Sequence, residues 1–101
     1  MGAQPFIVQM AIVDPREAFR AAIEEAQEEY GSRGYTGTIA EKDTFTRVTS
    51  TPMTGEDAER RARTLLNHPR YEDKAGPAGA IPVGDDTGAI SGWVFFGWAP
   101  H

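Results

Sequence analysis

The chain of 101 residues contains no cysteine, which excludes disulfides and thiolate metal sites. Histidine is scarce, with only His68 and His101. Long apolar runs are also missing. The longest apolar-rich stretch, residues 6–13, stops at Asp14-Pro15, far short of the roughly 20 residues a membrane helix needs. No basic region precedes that stretch, so neither a signal peptide nor a membrane anchor is expected. Together with the lack of cysteine, this predicts a cytoplasmic protein. Positive charge is in deficit, the net charge being −5. Nonspecific nucleic-acid binders draw affinity from phosphate neutralisation, so nucleic acid is not an expected partner.

What remains is ordinary for a globular chain, with 40% hydrophobic and 25% charged residues, enough for one core. The length predicts one domain. Residues 6–13 are apolar on both alternating faces and read as a central strand, or as one that joins an oligomer contact. Asp14-Pro15-Arg16-Glu17 is a helix start, with a capping acid, a proline at the first position and a glutamate at capping-box spacing. Phe19, Ala22, Ile23, Ala26 and Tyr30 follow at helical spacing, which predicts a helix over 15–30.

The threonine-rich stretch beyond it predicts strands over 36–40 and 45–49, joined by a turn at 41–43. Thr54-Gly55-Glu56-Asp57 opens a second helix striped by Ala58, Ala62, Leu65 and Leu66, and Asn67-His68-Pro69 closes it. Residues 69–80 read as a loop and 80–83 as a short edge strand, because Pro82 cannot donate to a ladder. A turn over 84–88 leads to the most aromatic strand, Trp93 to Trp98. The expected fold is therefore α+β, in the order β-α-β-β-α-β-β. An antiparallel sheet with both helices on one face would make it related to ferredoxin-like domains.

Catalytic constellations are absent. Ser32, Ser50 and Ser91 have no nucleophile elbow around them, and no cysteine is present. Acidic pairs such as Glu41 with Asp43, or Asp85 with Asp86, suit solvated turns. The set His68, Glu72 and Asp73 matches no established metal spacing. Gly76-Pro77-Ala78-Gly79-Ala80 lacks the lysine and hydroxyl of a phosphate-binding loop. No enzyme activity, cofactor or metal is expected.

Three features point to binding instead. A sheet with both helices on one face would leave one side of the aromatic strand open, which makes Trp93, Phe95 and Trp98 candidate partner contacts. Glu25, Glu28 and Glu29 form an acidic helix face suited to a basic partner. Arg47, Arg70 and Lys74 are candidates for holding an anionic group, in a pocket between the threonine-rich hairpin and the Gly76 to Val83 loop. Arg60, Arg61 and Arg63 read as a solvated face paired with Glu56, Asp57 and Glu59.

Two segments carry a resemblance. Gly34-Tyr35-Thr36-Gly37-Thr38-Ile39-Ala40-Glu41-Lys42-Asp43 is one. The other is Gly76-Pro77-Ala78-Gly79-Ala80-Ile81-Pro82-Val83, followed by Gly92-Trp93-Val94-Phe95-Phe96-Gly97-Trp98. They look like stretches in small uncharacterised phage and prophage proteins. That resemblance implies a phage origin and no particular activity. Small acidic phage proteins include inhibitors of host defence such as anti-CRISPR proteins. The expectation is a non-enzymatic interaction module whose partner is a host protein, or a second copy of the chain in a homodimer. The alternative is a small protein that binds or sequesters an anionic ligand.

Overall fold

The computed structural model describes residues 2–31 and 34–101. Its elements in chain order are β1 (Ala3–Met10), α1 (Pro15–Tyr30), β2 (Phe45–Arg47), α2 (Gly55–Leu65), β3 (Ala78–Gly84) and β4 (Ile90–Pro100). Single 3₁₀ turns lie at Ile39–Glu41 and Pro69–Tyr71. The fold is α+β in one compact unit. Both helices start where the capping residues predict. Asp14 accepts the Glu17 amide at 3.4 Å and Thr54 accepts the Asp57 amide at 3.1 Å.

The sheet order is β1-β4-β3-β2. β4 runs antiparallel to both β1 and β3, while β2 runs parallel to β3. The sheet is thus mixed, not antiparallel, and β1, β2 and β3 share one direction. That direction sets the layers. The crossover from β1 to β2 spans the sheet one way, and the crossover from β2 to β3 returns. Two right-handed crossovers of opposite travel place their helices on opposite faces. The core divides accordingly. Phe6, Phe19, Ile39, Trp93 and Phe95 pack under α1, whereas Ile81, Val83, Val94, Phe96 and Tyr71 pack with Ala58 and Ala62 of α2. The expectation of two helices on one face is corrected, and the ferredoxin-like arrangement with it.

Three strand expectations also change. The first strand is shifted to Ala3–Met10 and lies at an edge, not in the centre. It ends before Val13, whose carbonyl accepts the Trp93 indole N–H at 2.8 Å. Residues 36–40 form no strand. The Thr36 hydroxyl and amide donate to the Glu41 carboxylate at 2.9 and 3.1 Å, and Thr38 caps the 3₁₀ turn. Such local side-chain bonds offer the backbone an alternative to a ladder.

β3 is longer than expected and lies inside the sheet. Its ladder alternation turns Pro82 toward β2. The last bond of β2's stretch to β3 is made by the Val48 amide to the Ala80 carbonyl, and at Pro82 the carbonyl is met by the Met53 amide at 3.2 Å. The missing N–H costs the sheet nothing at this point. One close approach depends on glycine. Gly79 sits opposite Phe96, and a Cβ there would overlap the ring.

Candidate functional site

α1 lies over β1 and β4 and leaves β2 beyond its flank. Ala78 and Ala80 of β3 separate β2 from β4 on this face, and their small side chains let β2 lean across. Phe45 reaches Phe19 at 5.1 Å and Phe95 at 5.6 Å between ring centroids, and Phe19 meets Phe95 at 5.4 Å. The Arg47 guanidinium lies 5.0 Å from the centre of the Trp93 ring, within cation–π range.

Between α1 and β2 runs an open groove of about 920 Å³. Phe19, Ile23 and Phe45 give it an apolar floor, and Arg16, Arg20 and Arg47 are among its polar walls. Neither Arg16 nor Arg20 forms an ion pair among the described residues. β2 is also the last strand of the sheet, so its outer side has no neighbouring strand. The Val48 amide donates to the Ala80 carbonyl at 2.8 Å and the Ala78 amide to the Thr44 carbonyl at 3.0 Å. Residues 44, 46 and 48 therefore face β3, and by alternation the amides and carbonyls of Phe45 and Arg47 face outward.

The groove is electrically polar along its length. Trp93 ties its Arg47 end to Val13 and so to the start of α1, where Arg16 lies. Asp14 also lies at this end, with its carboxylate engaged in the helix cap. Phe45 beside Phe19 marks the middle, and Asp43, Glu24 and Gln27 occupy the far end.

A second, smaller hollow of about 350 Å³ lies on the other flank of α1, against β1 and residues 36–39. Glu25, Glu29 and Tyr30 contribute to it. Glu28 is exposed on the same helix end. No basic residue occupies the last turn of α1, so these acids face the negative end of the helix dipole uncompensated. Tyr30, which lines the same hollow, is one of the exposed large hydrophobic side chains, as is Tyr35.

The aromatic strand is not an exposed surface. Trp93 and Phe95 are fully buried under α1, and Phe96 is fully buried under α2. With a helix on each face, both sets of alternating side chains become core. Trp98 remains half-buried, and its indole N–H donates to the Leu66 carbonyl at 2.7 Å, closing the end of α2. Trp93 and Phe95 are thereby removed as direct contacts.

The three cations expected to share an anion do not converge. Arg47 lies on the α1 face, whereas Arg70 sits beside Tyr71, which packs on the α2 face. Neither groove is lined by Arg70 or Lys74. The pocket expected near Gly76 is closed by Lys42. This residue is only 4% exposed, and its ammonium donates to the carbonyls of Gly76, Lys74 and Asp73 at 2.7, 3.2 and 3.4 Å. Burial pushes its pKa down, with the Asp73 charge acting in the opposite direction.

His68 caps the following turn instead of the preceding helix, its Nδ1 accepting the Arg70 amide at 3.1 Å. Arg60 pairs with Asp57 at 2.8 Å and Glu56 at 3.3 Å on an exposed helix face, as its spacing predicts. Among the described residues, no group of three histidine or acidic side chains could hold a metal ion. Ser32 lies outside the described residues. Among the described residues, no helix is long and apolar enough to cross a membrane.

Arg16, Arg20 and Phe45 line the groove without any sequence motif marking them as a site. The one available signal was that Arg16 and Arg20 flank Phe19 and Ile23 on one helix, which places cations along an apolar stripe. No family model, curated protein or solved structure matches the chain.

Proposed function

We propose that this chain is a non-enzymatic interaction module that binds a partner protein along the α1–β2 side of its sheet. One observation carries the reading: an open groove with an apolar floor runs beside an edge strand whose outer backbone groups have no hydrogen-bond partner among the described residues. Exposed strand edges are templates for β-augmentation, in which main-chain bonds give affinity and flanking pockets give selectivity. In keeping with the phage-type resemblance, the partner would be a host protein in the cytoplasm, and the module an inhibitor or modulator of host defence of the anti-CRISPR kind. The acidic end of α1, with Glu25, Glu28 and Glu29, would steer a basic partner toward this surface.

A second reading is favoured by Arg47 stacked on Trp93 near Arg16 and Arg20. These cations suit a small anionic ligand with an apolar body. The first reading is tested with a photoreactive side chain placed at exposed Arg20, and at exposed Arg61 on α2 as a control. A protein adduct formed from position 20, absent from position 61 and lost with Arg47→Glu, is expected in a bacterial lysate. Equal labelling from both positions, or none, contradicts it. An adduct with the mass of a second copy makes the occupant a homodimer partner. A small retained mass released by the same variant moves the assignment to ligand binding.

A further inference from the structure

Resting on the groove reading above, we infer that the occupant of the α1–β2 groove is an extended segment of a partner chain, added antiparallel to β2, that carries an acidic residue, an apolar residue and a basic residue at alternate positions. Phe45 and Arg47 alternate on β2 and present to the same face, and Asp43, two residues ahead of the strand, also lines the groove. From Asp43 to Arg47 the chain spans at most about 13 Å, at roughly 3.3 Å per extended residue. On the opposite wall, Arg16 and Glu24 are about 12 Å apart, at 1.5 Å per helical residue.

The walls thus match in length, and both place cations at one end and acids at the other. The Arg47 end carries Arg16 and Arg47 against the capping Asp14, Arg20 lies one turn further along α1, and the far end carries Asp43 and Glu24. A strand added beyond β2, with its alternate side chains on the α1 face, meets the complementary field only if it is charged in the reverse order. An acid at position i faces Arg47 and Arg16. An apolar side chain at i+2 covers Phe45, and a cation at i+4 faces Asp43 and Glu24. The outward amides and carbonyls of Phe45 and Arg47 supply the main-chain bonds. Antiparallel pairing, the stronger kind per residue, puts the acid nearer the N-terminus of the segment.

The test uses three capped heptapeptides of alternating threonine, with Glu-Phe-Lys, Lys-Phe-Glu or Gln-Phe-Gln at the second, fourth and sixth positions. Binding is followed by amide chemical shifts of the full chain. The Glu-first peptide is expected to shift Phe45 and Arg47 and to bind at least tenfold more tightly than the Lys-first peptide. The Asp43→Lys/Arg47→Glu variant, altered at two exposed positions, is expected to reverse that order. Shifts at Phe45 and Arg47 that are equal for all three peptides, or a preference for the Lys-first peptide, overturn the inference and leave the groove reading intact. Shifts from none of them overturn both.

Discussion

The two faces of the sheet are covered to different degrees. On the α2 side an eleven-residue helix approaches closely through Ala58 and Ala62. Tyr71, Met53, Leu65 and Leu66 fill its margins, and Trp98 bonds across its end. On the α1 side a longer helix of sixteen residues covers the larger aromatic cluster, yet open space remains on both its flanks. Helix length does not decide closure. Position does: α1 lies over β1 and β4, so both β3 and β2 extend past its cover, whereas α2 lies over β3, β4 and β1 and leaves only β2 beyond it. A closed face stabilises the domain, and an open one leaves room for a partner.

If both faces are core beneath their helices, the largest effects come from truncating their central aromatics. Trp93→Ala and Phe96→Ala should each destabilise the fold by about 3–5 kcal/mol, measured by urea unfolding. A loss below roughly 1 kcal/mol for either would show that its face is not packed as described. A smaller effect separates the groove from the filled loop region. Lys42→Met keeps the aliphatic stem and removes the charged donor from three carbonyls, at an expected cost of about 1.5–3 kcal/mol. Peptide binding in the α1–β2 groove should remain, because Lys42 does not line it.

The acidic end of α1 should behave in the opposite sense. Glu28→Lys removes one of four acids in its last two turns and places a cation four residues after Glu24. Stability should rise by roughly 0.3–1 kcal/mol. No gain, or a loss, would show that these acids are compensated.

The β3–β4 turn, away from both helices, gives the smallest effect. The Thr87 hydroxyl, then the Thr87 and Ala89 amides, hold the Asp85 carboxyl below its usual range. The unfolded chain binds that proton more readily, so Asp85 contributes stability above its ordinary value of 3.8. The contribution is lost as pH falls through the lower folded value. Asp85→Asn should flatten this acid dependence, and an unchanged acid unfolding curve would contradict the assignment.

These two faces also explain what could be read from the chain. The α1 start was legible because Asp14, Pro15 and Glu17 act locally. The aromatic strand was legible because its residues alternate whatever lies above them. The side of the sheet that each helix covers was not, since amphipathic spacing defines a helix face and not a sheet face. That choice followed from β2 crossing to the far edge and the chain returning to β3, which no local pattern records. The threonines at 36 and 38 suggested a strand, but their bonds with each other and Glu41 settled a turn. The groove was hidden for the same reason as the layers. It exists only once Phe45 leans over Ala78 and Ala80 toward Phe19, a contact made by residues distant in sequence.

The proposal that a partner strand pairs with the outer edge of β2 is tested most directly by amide hydrogen exchange. In the free protein Phe45 and Arg47 should exchange rapidly, while Val94 and Phe96 in the central strand exchange slowly. Saturation with the Glu-first peptide should slow Phe45 and Arg47 at least tenfold and leave Val94 and Phe96 as they were. Phe45 and Arg47 amides already protected in the free chain, or still fast in the saturated complex, would contradict the claim.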